Sequence, residues 1–268
     1  MEQLEIRNAF PGAAVFRLRE TTSTMDEARR LVRMGFPPGT TVVADAQSSG
    51  RGRLPERRWA SPPGENLLST VILGPEAAKL PGFTLRVGLA LCRTAAVFAV
   101  RRGGSLSSPP ALKWPNDVLV GGRKLAGVLC EAGPEATLVG FGLNVNQLLF
   151  PPELEGKATS LALELGLPGG LGLPELLELA LGELAFVLAD GDWRQEAEER
   201  LWRRGEEAAF LAGSPEGGET VTGVLEGLAP SGALLLRPAG ADRPLEFASG
   251  ELLFRAPRVD RSGSHHIR

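Results

Sequence analysis

The chain has 268 residues, 43% of them hydrophobic and 23% charged, with a formal net charge of −3 at neutral pH. That size fits one larger domain plus a small one, and mild acidity argues against a protein built mainly to coat nucleic acid. Cysteine occurs only at Cys92 and Cys130, the start Met1-Glu2-Gln3-Leu4-Glu5 lacks the marks of a signal peptide, and no apolar run is expected to span a bilayer; a reducing cytoplasm fits all three.

The first clear element is a helix opened by Thr22-Ser23-Thr24-Met25-Asp26-Glu27. Ser23 with Asp26, or Thr24 with Glu27, matches a capping box; Ala28, Leu31 and Val32 follow at helical spacing, and Gly35 with Pro37-Pro38 ends the element. Thr41 to Ala46 reads as a strand, Gln47 to Gly64 as a long Gly-, Pro- and Arg-rich loop, and Leu67 to Leu73 as a second strand. Phe83 to Arg101 is a helix with Leu85, Leu89, Cys92, Ala96 and Val100 as its buried face.

A Gly/Ser/Pro linker over Arg102 to Pro110 precedes strands at Ala111 to Trp114, Val118 to Val120, Lys124 to Glu131 and Thr137 to Leu143. Helices are expected over Thr159 to Leu165, Leu173 to Asp190 and Trp193 to Arg204. Strands and helices do not alternate strictly, which favours α+β over a doubly wound sheet. From Glu206 the texture changes to short strands, Thr220 to Leu225, Ala233 to Leu236, Pro244 to Ala248 and Glu251 to Phe254, as in a small β-barrel. The expected division is 1–208, 209–256 and a flexible tail over 257–268 that carries His265 and His266.

Four segments can carry chemistry. Ser23-Thr24 places hydroxyls at a helix N-terminus, as a cap or as a ligand contact. Gly50-Arg51-Gly52-Arg53, continued by Arg57, Arg58 and Trp59, is a flexible cationic loop on a strand end, suited to gripping an anion or simply solvated. Lys113-Trp114-Pro115-Asn116-Asp117 and Arg123-Lys124-Leu125-Ala126-Gly127 form the third; Lys124 opens an apolar strand, where a cation needs an anionic partner, and Gly127 lets a ligand approach the backbone. Lysine is confined to Lys79, Lys113, Lys124 and Lys157, which adds weight to Lys124. Gly140 to Asn146 ends a strand without the dinucleotide fingerprint, and no Walker A sequence is present. Both histidines lie in the tail, so there is no Ser-His-Asp triad; no Cys/His metal spacing exists, and both cysteines read as core residues.

Taken together, these segments resemble the biotin–protein ligases. The resemblance rests on Thr22-Ser23-Thr24-Met25, Gln47 with Gly50 to Arg53, Trp59 with Ser61-Pro62, Lys113 to Asp117, Arg123 to Gly127, Gly140 to Asn146 and Ala158-Thr159-Ser160-Leu161, in family order from about residue 20 to 165. It implies a catalytic domain like that of the class II aminoacyl-tRNA synthetases and biotin ligases, plus a small Src-homology-3-like β-barrel. It implies a reaction of biotin with magnesium-ATP to biotinyl-5′-AMP, then transfer to a lysine of a biotin carboxyl carrier protein. By the same resemblance Ser23, Thr24, Gln47, Gly50, Arg51, Gly52, Arg53, Lys124 and Gly127 bind biotin. Arg51, Arg53, Trp59, Asn116, Lys124 and Asn144 contact ATP or the adenylate, and Arg51, Lys124 and Asp117 are catalytic. Magnesium ligands are not assigned beyond Asp117 lying near the ion. Biotin is expected to arrive first, with the arginine loop closing over it. Some bacterial members carry an N-terminal DNA-binding domain. The roughly twenty residues before Thr22 are too few for one, so a monofunctional ligase that binds no DNA and no membrane is expected, with a homodimer left open. The alternatives are a lipoate ligase or octanoyl transferase of the same fold, and a nucleic-acid-binding module.

Overall fold

The computed structural model describes residues 1–54, 56, 58–213 and 217–253. Arg57, Phe254 and the tail with His265 and His266 lie outside the described residues. The chain divides into two compact units.

The first unit holds Met1–Trp202 with Pro230–Gly232. Its strands are β1 (Glu2–Leu4), β2 (Val15–Thr21), β3 (Thr41–Gln47), β4 (Leu67–Leu73), β5 (Ala111–Lys113), β6 (Asp117–Val120), β7 (Arg123–Ala132) and β8 (Thr137–Leu143). They form one eight-stranded sheet in the order β1-β2-β3-β4-β8-β7-β6-β5. Only β2 and β3 run parallel, and that pairing requires a crossover, supplied by helix α1 (Thr24–Arg33). β1 and β2 were not foreseen from the sequence.

The remaining helices are α2 (Phe83–Arg101), α3 (Leu161–Leu165), α4 (Leu173–Ala189) and α5 (Trp193–Glu199). α1 lays Met25, Ala28 and Leu31 onto Val42, Ile72 and Leu138, with Leu129 of β7 packed against the same cluster. Cys130, the next residue on β7, meets Thr84 of α2 instead. Successive side chains of a strand point to opposite faces, so α1 and α2 cover opposite faces of the sheet.

α2 is then packed by β5, β6 and β7 on one side and by α4 and α5 on the other. Burial all round requires an apolar helix, and by length and composition alone α2 could cross a membrane. This corrects the expectation that no such run exists: most of the helix is buried inside the unit, as in a core helix. The single stripe expected from the sequence is corrected too. Phe83, Val87, Leu91, Ala95 and Phe98 are buried as well, whereas Val100 is 73% exposed.

Arg86 is the exception inside this helix, only 5% exposed. Its Nη1 donates to the carbonyls of Val187 (2.7 Å) and Asp190 (2.6 Å) at the end of α4, and its Nε to that of Pro81 (3.0 Å). Burial lowers its pKa, yet the charge sits at the negative end of a helix, where a cation is favoured.

The described part of the second unit runs over Arg203–Ala229 and from Ala233 onward. It contains β9 (Glu207–Ala212), β10 (Glu219–Leu228), β11 (Leu234–Arg237), β12 (Leu245–Phe247) and β13 (Gly250–Leu252), all antiparallel, in the order β12-β11-β10-β9-β13. β12 and β13 are sequence neighbours on opposite edges. The step from Phe247 to Gly250 spans at most ~11 Å, whereas five strands laid flat would separate the edges by ~19 Å. The sheet must therefore curl, which is the small barrel expected from the sequence. β9 is a strand that was not expected from the sequence.

Arg86→Ala should destabilise the first unit by about 3 kcal/mol, because it leaves helix-end carbonyls buried without a donor. Urea unfolding followed by circular dichroism measures this, and a change below about 0.5 kcal/mol would contradict it.

Candidate functional site

The site begins at the N-terminus of α1. Ser23 is the cap residue, and its hydroxyl accepts from the Met25 N–H at 3.3 Å. The N–H of Thr24 donates to Gln47 Oε1 at 2.7 Å, and its hydroxyl is 3.2 Å from the same oxygen. Thr70 of β4 donates to the Thr24 hydroxyl at 2.8 Å. Ser23, Thr24 and Gln47 are thus brought together, with the Gln47 carbonyl already committed to Thr24. Thr70 could not be picked out from the sequence, because nothing local marks one strand threonine among others.

Gly50 follows on the same loop. It is buried, and a methyl group there would lie 2.5 Å from the Trp59 carbonyl oxygen. Only glycine admits that approach, which the Trp59 N–H to Gly50 carbonyl bond (3.0 Å) holds in place. Gly52 is half-buried and Arg53 exposed.

The Arg51 side chain turns to α1. Its Nη2 donates to Asp26 Oδ1 at 2.7 Å and lies 3.4 Å from the Ser23 hydroxyl. Its Nε is buried with no hydrogen-bond partner among the described residues. Asp26 therefore does not complete the capping box expected from its spacing; it faces arginines. Burial works against its charge, but hydrogen bonds from Arg51 and Arg29 outweigh that and hold its pKa below the ordinary carboxylate value.

The floor of the site lies on β7 and β8, where Gly127 pairs directly with Gly142. Facing glycines leave a hollow on one face of the sheet, and the Trp59 indole fills it. A methyl group on Gly142 would lie 2.4 Å from that ring, and one on Gly127 would lie 3.1 Å from it. Two pairs further along β8, on the same face, Gly140 makes room for the Met25 sulfur of α1 in the same way. The indole Nε1 is buried without a hydrogen-bond partner among the described residues.

Lys124 reaches the same hollow through a change of register. Val118 and Leu119 of β6 pair with Ala126 and Lys124, so Leu125 is an extra residue on β7. In a regular strand Lys124 and Gly127 would face opposite ways; the bulge turns the lysine to the glycine's face. Its Nζ lies 3.2 Å from where a Gly127 methyl would be and 5.6 Å from the centre of a Trp59 ring. The anionic partner that its position demanded is Asp117, at 2.7 Å.

The bulge is stitched from outside. The Lys124 N–H donates to the Lys157 carbonyl (2.7 Å), and the Thr159 N–H donates to the Lys124 carbonyl (2.9 Å). Buried Asn144 donates from Nδ2 to the Thr159 carbonyl at 3.0 Å and contacts the Lys124 carbonyl at 3.4 Å. Asn116 donates from Nδ2 to the Val128 carbonyl at 3.0 Å. Both asparagines, expected as nucleotide contacts, thus direct their amide nitrogens at the backbone that shapes the site.

Neither cysteine is suited to covalent chemistry. Burial pushes both thiols up to about 12, far from the thiolate form at neutral pH. No cluster of three or more metal-ligating side chains occurs among the described residues.

A mixed sheet whose facing glycines seat an indole between an arginine loop and a lysine gathers cationic side chains in one place, as a catalytic domain for anionic reactants requires. The profile of the Biotin/lipoate A/B protein ligase family matches residues 16–147. The biotin--[acetyl-CoA-carboxylase] ligase of Paracoccus denitrificans is 34% identical over 236 residues, 83% of this chain and 94% of that protein. The bifunctional ligase/repressor BirA of Bacillus subtilis (strain 168) is 37% identical over 150 residues, 53% of this chain and only 44% of that protein. Among solved structures, the biotin protein ligase from Aquifex aeolicus in complex with biotin and ATP superposes with a TM-score of 0.75 at 30% identity, over 89% of this chain and 97% of that one. The chain belongs to the biotin/lipoate A/B protein ligase family, among its biotin–protein ligases.

Two outcomes test this geometry. Gly142→Ala should displace the indole and cost about 1–3 kcal/mol, and Gly127→Ala should cost less. Tryptophan emission, read against Trp59→Phe, should shift red in Gly142→Ala; an unchanged spectrum would contradict the packing. Cys92 is fully buried, whereas Cys130, expected in the core, is only partly covered. With its thiol pKa raised to about 12, Cys92 should resist a thiol reagent at pH 8 until the protein is unfolded, and its rapid labelling in the native protein would contradict its burial.

Proposed function

We propose that the protein is a cytoplasmic biotin–protein ligase that activates biotin with magnesium-ATP and passes it to one lysine of a biotin carboxyl carrier protein. The observation that carries this reading is the arrangement around Trp59: its backbone holds the loop of Arg51, and its ring lies beside Lys124. The Paracoccus relative, a biotin--[acetyl-CoA-carboxylase] ligase, and the Aquifex complex with biotin and ATP support the choice of substrates.

In the first step a biotin carboxylate oxygen bonds to the α-phosphorus as the bond to pyrophosphate breaks. Two anions must meet, and the reaction builds charge on the phosphoryl oxygens. With the loop closed over biotin, Arg51 and Lys124 offset the repulsion and stabilise that charge. Holding both reactants against one rigid sheet supplies the proximity part of the acceleration. In the second step the neutral amine of the carrier lysine bonds to the acyl carbon, and AMP leaves. Asp117 orients that amine or accepts its proton. The 2.7 Å contact with Asp117 holds the Lys124 ammonium beside Gly127 and Trp59 until a phosphate competes for it.

Magnesium enters as the counter-ion of ATP. Such an ion keeps most of its ligands from phosphate and water and needs only one or two carboxylates, a demand that Asp117 can meet.

ATP–pyrophosphate exchange with biotin, lipoate and octanoate in parallel tests the reading. Exchange should depend on biotin; exchange with lipoate but not biotin would assign the chain to the lipoate side of the family. Arg51→Ala and Lys124→Ala should each slow biotin-dependent exchange by about 100-fold or more while leaving the fold intact. Near-normal rates in both would contradict their roles.

A further inference from the structure

Asp26 stands in the first turn of α1, where a carboxylate ordinarily closes a capping box or complements the helix dipole. Here its Oδ1 accepts from Arg51 Nη2 and from Arg29 Nη1, each at 2.7 Å. Arg29 also donates from Nη2 to Glu131, on the same strand as Lys124. A chain of alternating charges, Arg51–Asp26–Arg29–Glu131, thus ties the arginine loop to α1 and then to β7. It is formally neutral, so Arg29 and Glu131 hold Asp26 without adding net charge. Arg51 uses Nη2 within this chain, and its buried Nε donates to nothing among the described residues. A buried cationic N–H without an acceptor is unfavourable, and an anionic oxygen is the acceptor that relieves it best.

We propose that Asp26 is a positioning residue for the ligase reaction: it holds the Arg51 guanidinium by Nη2 and so reserves Nε for an oxygen of the reacting anions. The inference rests on the ligase reading and concerns how its arginine is aimed. Asp26 acts through Arg51. Its removal should free the guanidinium to adopt many orientations, and a displaced catalytic donor lowers turnover more than it weakens the binding of distant parts of a substrate. A carboxylate that merely neutralised Arg51 would do the opposite, and its removal would speed the reaction.

The test is biotin-dependent ATP–pyrophosphate exchange by the full chain, with kcat and KM for ATP separated and thermal unfolding followed for each variant. Wild type, Asp26→Ala, Asp26→Asn, Arg51→Ala and the double variant Asp26→Ala with Arg51→Ala are compared. Asp26→Ala should lower kcat at least about tenfold with little change in KM for ATP. Asp26→Asn keeps an acceptor oxygen in place and should retain more activity; it carries the same comparison if the alanine variant unfolds. The double variant should be no slower than Arg51→Ala alone, because the aspartate then has nothing to aim. A variant as fast as wild type or faster, or a loss repeated in full in the Arg51→Ala background, overturns the proposal. Absence of biotin-dependent exchange in wild type would instead overturn the ligase reading itself, so the two failures are distinguishable.

Discussion

The site depends on two glycines facing each other across β7 and β8. Any side chain at Gly142 would meet the Trp59 ring at 2.4 Å, so the flat hollow exists only because the β-carbon is missing. The indole in that hollow connects groups far apart in sequence. Its backbone anchors Gly50, and therefore the loop of Arg51; its ring lies beside Lys124. Glycine weakens a strand interior, and the sheet offsets that weakness by pairing β7 and β8 with neighbours on both sides.

A second constraint is the bulge at Leu125. Without the extra residue, Lys124 would point to the α2 face, into the core. The bulge sends it to the α1 face, where Asp117, Gly127 and Trp59 lie. The segment from Lys157 to Thr159 and the Asn144 amide hold the irregular backbone by hydrogen bonds that the bulge would otherwise leave unmade. The segment Ala158-Thr159-Ser160-Leu161, expected to open a helix from Thr159, also supports the site, because Ala158 pairs with the backbone of Lys124.

Much of the fold was legible because periodicity and breakers agreed. α2 spans Phe83–Arg101 and β4 spans Leu67–Leu73, as their sequences indicate. The failures have physical causes. β9 is alanine-rich, which favours helix locally, but β10 and β13 pair with it from both sides and bury Ala208, Ala209 and Phe210 completely. In the site, residue types were readable and their partners were not. Gln47 bonds Thr24, and Asp26 bonds Arg51, through geometry that exists only once α1 has crossed from β2 to β3. A capping-box spacing predicts one partner for Asp26; tertiary structure supplies a different one, because a nearby guanidinium binds a carboxylate more strongly than a backbone N–H does.

We propose that the loop of Arg51 serves biotin and closes over it when biotin binds. Hydrogen–deuterium exchange of the amides from Gly50 to Arg53, with biotin alone and with ATP alone, addresses it most directly. Exchange in this segment should slow with biotin alone and change little with ATP alone. Protection by ATP alone, or exchange unaltered by saturating biotin, would contradict it.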